Sequence, residues 1–229
     1  MWQPSREQEP MRLRARPQAG VRRAAVPGVH PLGWGGERDG LLSVPPGYRS
    51  DVPAPLLVLL HGAGADAACL LPLYQHQANS AGVLVLAPDS RGTTWDIIQG
   101  GYGPDIAFVD AALERVFAAL AVQPDRIAVG GFSDGASYAL SLGLANGGLF
   151  ADILAFSPGF AAPAAYQGQP RIFISHGTAD TVLPIDRCGR TLRTRLVRAG
   201  YEVLYREFDG GHRVPAAIVD EAFHWWLAG

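Results

Sequence analysis

A serine in a glycine-rich turn is the first feature of this sequence that could do chemistry. Ser133 lies in the stretch Gly-Gly-Phe-Ser-Asp-Gly-Ala of residues 130–136, after the apolar run 127–129 and before a helix-like segment from 137 to 142. The pattern predicts a sharp strand-to-helix turn that holds the serine hydroxyl out from the sheet. Gly131 and Gly135 are expected there because strand and helix pass too close for a β-carbon.

A serine hydroxyl needs a base to take its proton, and three histidines follow Ser133 in the sequence. His212 lies in the sequence Asp-Gly-Gly-His, between the last predicted strand and the last predicted helix, and is the candidate base. His176 ends a strand but precedes the candidate acid, and His224 lies within a helix beside two tryptophans. The order serine, acid, histidine that this kind of turn requires therefore favours His212.

The acid that orients the base is expected between the serine and the histidine. Asp180 lies in a loop after a predicted strand, in the stretch His-Gly-Thr-Ala-Asp of residues 176–180, and is the candidate. Asp186 is an alternative that is better explained as the N-cap of the next helix. Asp209, three residues before His212, is a second alternative that could orient its own loop.

Two backbone N–H groups should hold the oxyanion that forms when a carbonyl group is attacked. The expected donors are Asp134, directly after the serine, and Ala63, in the turn His-Gly-Ala-Gly of residues 61–64, where Gly62 allows close approach of the substrate. His61 is expected to be structural. A second serine turn, at Ser157, is expected to be non-catalytic because Pro158 has no N–H to donate.

The elements that must position these groups alternate between strands and helices. Apolar runs typical of buried parallel strands are followed by helical patterns, which predicts an α/β fold with a doubly wound, mostly parallel sheet flanked by helices on both faces. The predicted strands cover 39–44, 55–60, 83–88, 127–129, 153–156, 171–175 and 201–208, and the predicted helices 66–81, 104–121, 137–142, 186–199 and 215–227. Active groups of such sheets lie at the carboxyl ends of the strands, as Ser133 does.

The N-terminal region is harder to interpret. Residues 1–20 are predicted to form an N-terminal extension, and residues 21–229 a single α/β domain. Apolar and basic residues alternate over 11–16, which is typical either of an edge strand or of an extended, unpaired arm. Residues 17–37 are rich in glycine and proline and are predicted to be loop.

The composition excludes several functions. The chain has 229 residues, is 48% hydrophobic and has a net charge of −2, which argues against nucleic acid as a partner. All 19 basic residues are arginine, so chemistry that needs a lysine is excluded. The two cysteines lack metal spacing, and neither metal nor cofactor is expected. No apolar run of 18 residues and no signal peptide is found, so no membrane span and a cytoplasmic location are expected.

Five segments in this order resemble those of α/β-hydrolase esterases of the phospholipase/carboxylesterase type, near the polyhydroxybutyrate-depolymerase-like esterases. They are HGAGAD, PDSRGTTWD, GFSDGASY, HGTADTVLPID and FDGGH, and the resemblance covers residues 38–228. It implies a Ser133–Asp180–His212 triad in a core without a lid domain. It also implies that Cys69 and Cys188 lie on opposite faces of the sheet, too far apart for a disulfide.

The resemblance implies a serine carboxylesterase that acts on short- to medium-chain esters through an acyl-enzyme. A thioesterase, a peptidase and a non-catalytic binding protein are the alternatives. Candidate pocket residues are Gly62, Trp95, Tyr102 and His176, although Trp95 and Tyr102 could equally pack their loop onto the core. The expected partner is a small-molecule ester, and the chain could be a monomer or a homodimer.

Overall fold

The computed structural model describes residues 11–18, 24–34 and 38–229. Its strands are β1 (Gly28–Pro31), β2 (Gly40–Val44), β3 (Ala54–Leu60), β4 (Leu84–Pro88), β5 (Val122–Phe132), β6 (Asp152–Phe156), β7 (Arg171–Gly177) and β8 (Val203–Phe208). Its helices are α1 (Ala67–Leu70), α2 (Pro72–Ala81), α3 (Pro104–Ala119), α4 (Asp134–Ala145), α5 (Gly189–Arg198) and α6 (Ala216–Ala228), with a 3-10 helix at Asp96–Gln99. The predicted α/β fold class is confirmed.

The eight strands form one sheet in the order β1-β2-β4-β3-β5-β6-β7-β8. The pairs β1–β2 and β2–β4 are antiparallel, and the pairs from β4 through to β8 are parallel. The carboxyl ends of the parallel strands therefore meet along one edge of the sheet. The segments that follow β3, β5, β7 and β8 contain the candidate turn, serine, acid and histidine, respectively.

The sheet is covered on both faces, as the apolar runs predict. In β3, Leu56, Val58 and Leu60 belong to one buried cluster, whereas Leu57 and Leu59 belong to the other, as the two-residue period of a strand requires. The first cluster includes residues of α3, α4 and α5, and the second includes residues of α1, α2 and α6. Cys69 in α1 and Cys188 before α5 are both free thiols.

Some boundaries differ from the sequence-based predictions. The helix predicted over 66–81 is two helices that meet at Leu71, because Pro72 begins α2, while Asp66 caps α1 by accepting the N–H of Cys69 at 2.8 Å. A short strand, β1, lies in the region predicted to be loop. Asp186 is not the N-cap of α5, which begins after Cys188; its carboxylate instead pairs with Arg190 at 2.8 Å.

Residues 11–16 form the extended arm rather than an edge strand. Met11, Leu13 and Ala15 are buried and the arginines between them are exposed, so the alternation does indicate two faces. The arm is held by side chains instead of a strand ladder. Asn146 accepts the N–H of Leu13 at 2.8 Å and donates to the carbonyl of Met11 at 2.7 Å, and Asp110 accepts the N–H of Ala15 at 2.9 Å.

Among the described residues, no helix combines the length and the apolar character needed to cross a membrane.

Candidate active site

Ser133 forms the junction between β5 and α4, and the packing around it explains the glycines. Its backbone has φ 57° and ψ −120°, a region that residues with a side chain rarely adopt. A β-carbon on Gly131 would lie 2.5 Å from Gly135, and one on Gly135 would lie 2.0 Å from the carbonyl oxygen of Leu60. Only glycine at both positions allows β5, α4 and the end of β3 to approach this closely.

A continuous chain of hydrogen bonds joins Ser133, His212 and Asp180. Ser133 Oγ is 2.8 Å from His212 Nε2, and His212 Nδ1 is 2.7 Å from Asp180 Oδ2. The Asp180 side chain is fully buried, whereas 14% of the His212 side chain is exposed. The alternatives lie elsewhere: Asp186 pairs with Arg190, and His224 is exposed on α6.

The carboxylate of Asp180 is held in its charged form. Burial raises its pKa, but this effect is outweighed by hydrogen bonds from His212, Leu183 and Val182, so the net effect is a pKa below the ordinary value. The N–H groups of Val182 and Leu183 donate to Oδ1 at 2.9 and 2.8 Å, which leaves Oδ2 for His212. A carboxylate that stays ionised can both orient the imidazole and stabilise the imidazolium.

The turn after β3 lies against the serine, and His61 fixes its peptide. A β-carbon on Gly62 would lie 3.3 Å from Ser133 Cβ. His61 Nε2 accepts the N–H of Ser90 at 2.9 Å, so the ring proton is on Nδ1, which donates to the Gly62 carbonyl at 2.7 Å. Burial lowers the pKa of His61, in keeping with a neutral ring.

This hydrogen bond sets the direction of one expected oxyanion donor. In a trans peptide the C=O and the N–H point in opposite directions, and the described chain has no cis peptide. With the Gly62 carbonyl turned toward the His61 ring, the N–H of Ala63 in the same peptide points away from the ring. The N–H of Asp134 is the first of α4, where a helix leaves its N–H groups without acceptors of its own.

The candidate pocket residues occupy different environments. Trp95 is fully buried, with its indole N–H donating to the His61 carbonyl at 2.8 Å and its ring stacked on Tyr138, so it packs its loop onto the core and does not line an open pocket. His176 is also fully buried, behind Asp180. Tyr102 is 37% exposed and its hydroxyl donates to the carbonyl of Ala162.

Ser137 is a structural part of the site that the sequence analysis did not identify. Its hydroxyl donates to the Ser133 carbonyl at 3.2 Å and accepts the N–H of Gly159 at 2.9 Å. One turn later, Ser141 Oγ accepts the N–H of Ala162 at 2.9 Å. The four-residue spacing of the two serines on α4 was the available signal, since it places both hydroxyls on one helix face.

The second serine turn has the backbone of the first but not its partners. Ser157 has φ 52° and is fully buried, and its hydroxyl has no hydrogen-bond partner among the described residues. The residue that follows it is Pro158, which carries no N–H. The described part of the chain also contains no group of three or more histidine, cysteine or acidic residues arranged to hold a metal ion.

A profile of the phospholipase/carboxylesterase family matches residues 105–224, more than half of the chain. The chain belongs to this family. Its membership confirms the resemblance to α/β-hydrolase esterases, and the family is one of ester-hydrolysing serine hydrolases.

Individual relatives agree with this assignment. A probable feruloyl esterase C of Aspergillus oryzae is 28% identical over 169 residues, which are 70% of this chain and 60% of that protein. The feruloyl esterase C of Emericella nidulans is 26% identical over 209 residues, which are 76% of this chain and 76% of that protein. The chain thus spans between about three fifths and three quarters of the length of these relatives.

Solved structures share the fold. The crystal structure of esterase PE8 is 26% identical, with a TM-score of 0.66 over 82% of this chain and 98% of that one. A fluorophosphonate-binding serine hydrolase F of Staphylococcus aureus has a TM-score of 0.70 over 88% of this chain and 99% of that one, and at 15% identity it shows the fold alone.

Proposed function

We propose that the chain is a serine carboxylesterase that hydrolyses short- to medium-chain carboxylic esters through an acyl-enzyme. The observation that carries this proposal is the series of hydrogen bonds Ser133–His212–Asp180, with 2.8 Å at the first contact and 2.7 Å at the second. Ser133 lies at the end of β5, where its backbone has positive φ. This arrangement supports nucleophilic catalysis because the base is within reach of the hydroxyl proton and is itself oriented by a buried carboxylate.

In the proposed mechanism, Ser133 Oγ attacks the ester carbonyl while His212 Nε2 takes its proton. The N–H groups of Ala63 and Asp134 stabilise the oxyanion, and the alcohol leaves with the proton that His212 returns. Water then attacks the acyl-Ser133 ester, again with His212 as base, and the acid is released. Asp180 keeps its charge throughout and stabilises the imidazolium.

The proposal is tested with p-nitrophenyl esters of increasing acyl length. Wild type should be most active on acyl chains of about two to eight carbons, and Ser133→Ala should lose at least about a thousand-fold in kcat. A fluorophosphonate probe should label wild type at Ser133 and leave Ser133→Ala unlabelled. Ser157→Ala is the matched control and should keep both activity and labelling. Wild type that is neither labelled nor active would contradict the proposal, and faster turnover of thioesters or peptides would favour the alternatives.

A ferulate ester is a second, more specific candidate substrate. It is favoured by the relatives named feruloyl esterase C and by two partly exposed aromatic side chains, Tyr102 at 37% and Phe160 at 36%. The N–H of Phe160 is 3.4 Å from Ser137 Oγ, one helical turn from Ser133, so its ring lies on a segment attached to the site. Aromatic rings of this kind can stack against a phenolic acyl group. We expect kcat/KM for methyl ferulate to fall in Phe160→Ala while that for methyl butyrate is retained.

A further inference from the structure

Two polar groups near Asp180 have no hydrogen-bond partner among the described residues and border one small space. His176, at the end of β7, is fully buried, and its Nδ1 has no hydrogen-bond partner in the described part of the chain. The same is true of the buried hydroxyl of Tyr205, on the neighbouring strand β8. Buried polar atoms without partners are uncommon because leaving them unsatisfied costs about 1–3 kcal/mol each.

The hydrogen bonds of His176 fix its tautomer. Its Nε2 is 2.7 Å from the carbonyl oxygen of Leu183, which can only accept, so Nε2 carries the proton. The same nitrogen is 3.3 Å from Asp180 Oδ2. Burial lowers the pKa of His176, so the ring is neutral and Nδ1 is left as an acceptor.

Leu183 connects His176 to the acid. Its N–H donates to Asp180 Oδ1 at 2.8 Å, and its C=O accepts from His176 Nε2 at 2.7 Å. His176 therefore holds the residue that in turn holds the carboxylate. It also lies close enough to Oδ2 to share that oxygen with His212, which approaches it to 2.7 Å.

Tyr205 offers the donor that His176 Nδ1 lacks. Burial raises the pKa of Tyr205, so its hydroxyl keeps its proton. A β-carbon on Gly189 would lie 2.8 Å from His176 Nδ1 and 2.9 Å from the Tyr205 hydroxyl, so the donor and the acceptor border the same small space beside the first residue of α5. A small side-chain rotation or one bridging water would join them.

We infer that His176 and Tyr205 are positioning residues that hold Asp180 for catalysis. They act through the series of contacts Tyr205–His176–Leu183–Asp180–His212. The inference rests on the proposed esterase function of Ser133. The charged and titratable groups around these contacts are Asp180 and His212 near His176, and Glu207, Arg190 and Arg193 near Tyr205. Arg190 donates to the two oxygens of Glu207 at 2.8 and 2.6 Å, and Glu207 is also the acidic group that acts on the Tyr205 hydroxyl.

The variants separate hydrogen bonding from packing. His176→Phe keeps a planar ring and removes both nitrogens, whereas His176→Gln keeps an N–H that can reach Leu183 and Asp180. Tyr205→Phe removes only the hydroxyl. Tyr74→Phe is the matched control, because Tyr74 also has a buried hydroxyl without a partner among the described residues, but it lies in α2 and belongs to the apolar cluster on the other face of the sheet from Tyr205.

We expect His176→Phe to lower kcat for p-nitrophenyl butyrate about 10- to 100-fold with KM changed less than about two-fold, because positioning acts on the transition state. His176→Gln should recover most of kcat. Tyr205→Phe should lower kcat about two- to five-fold in wild type and have no further effect in His176→Phe, because the two residues act in series. Tyr74→Phe should leave kcat unchanged. A kcat in His176→Phe above half of wild type, a glutamine variant no better than phenylalanine, or additive effects of Tyr205→Phe would overturn the inference.

A variant outside the pair guards against misfolding. Gly189→Ala keeps both side chains but places a methyl group 2.8 Å from His176 Nδ1 and 2.9 Å from the Tyr205 hydroxyl, so these groups must shift, at a residue whose backbone can accommodate alanine. It should lower kcat about five-fold or more while thermal unfolding stays cooperative. Fluorophosphonate labelling of Ser133 distinguishes the two proposals: labelled, active wild type with unaffected variants overturns this inference alone, whereas unlabelled, inactive wild type overturns both.

Discussion

Thr94 Oγ1 donates a 2.7 Å hydrogen bond to Asp134 Oδ2, which ties the residue after Ser133 to the segment over residues 89–103, between β4 and α3. The backbone N–H of Asp134 is one of the proposed oxyanion donors, and its side chain is turned to the loop. The Asp134 carboxylate is thereby held one residue from Ser133, the proposed nucleophile. Its field should act on any substrate that carries a charge of its own.

We expect Asp134→Asn to change charge selectivity. An asparagine oxygen can still accept from Thr94, but the repulsion of an anionic ester is removed. The kcat/KM for a p-nitrophenyl hemisuccinate should rise about three- to ten-fold relative to p-nitrophenyl butyrate, as expected for a unit charge several ångströms away in a solvated site. Asp125→Asn, an exposed residue near the start of β5, is the control. An unchanged ratio of the two esters in Asp134→Asn would contradict this role.

Removing the His61 ring should impair catalysis more than binding. In His61→Ala the Gly62 carbonyl loses its hydrogen bond to the ring. The direction of the Ala63 N–H is then no longer fixed, because both groups belong to one peptide. We expect kcat to fall about 10- to 100-fold with little change in KM, somewhat less than the loss of a whole oxyanion donor. His224→Ala, on the exposed face of α6, should be unaffected. Equal losses in kcat and in the affinity for substrate would argue for general disruption instead.

His61 should also make the fold sensitive to mild acid. Its pKa is lowered in the folded chain, so the unfolded chain binds the proton more readily, and the stabilisation by the neutral ring is complete above about pH 6.5 and lost as the pH falls toward the folded pKa. His61→Asn keeps a donor for Gly62 and does not titrate. The unfolding temperature of wild type should therefore fall more steeply than that of His61→Asn between pH 7.5 and 5.5.

The pH dependence of stability that Asp152 contributes has the opposite sign to that of His61, and it does not affect the comparison of wild type with His61→Asn. Burial raises its pKa to about 6 despite the 2.6 Å ion pair with Arg171, so the stability linked to its protonation is present at low pH and lost as the pH rises through about 6. Because Asp152 is present in both chains, the difference between them reports His61. Parallel curves for wild type and His61→Asn would show that His61 makes no such contribution.

Gly135→Ala should prevent the turn at Ser133 from forming. A β-carbon there would lie 2.0 Å from the Leu60 carbonyl oxygen and 2.4 Å from that of His61, and neither backbone can move without separating β3 from β5. We expect a loss of more than about 4 kcal/mol in the free energy of unfolding, or no folded protein. Gly47→Ala, with no atom within 4 Å of its β-carbon, should change it by less than about 0.5 kcal/mol in the same denaturant titration. A folded, stable Gly135→Ala chain would contradict the packing argument.

The parts of the site that were predictable from the sequence are those set by strand order and local turns. The glycines around Ser133 predict a close approach, and the loops after β7 and β8 contain Asp180 and His212, whose side chains meet in the structure. Parallel strands bring their carboxyl ends to one edge, so residues far apart in sequence can be placed together without knowledge of any contact.

What was not predictable depends on partners distant in sequence. The arm over residues 11–16 alternates like a strand, but its acceptors, Asn146 and Asp110, are side chains about a hundred or more positions away. Trp95 lies in a polar loop, yet it is buried against Tyr138 because its indole N–H reaches the His61 carbonyl. Local pattern does not specify such contacts, and they decide which face of a loop is turned inward.

The two serines on α4 constrain how the segment after β6 can behave. Ser137 and Ser141 attach residues 159–162 to α4, the helix that begins after Ser133, and the Tyr102 hydroxyl donates to the carbonyl of Ala162. A segment attached in this way moves with α4 instead of swinging on its own. The rate of ester hydrolysis should then follow a single hyperbolic dependence on ester concentration through the critical micelle concentration. We expect no increase in rate when the substrate forms an emulsion.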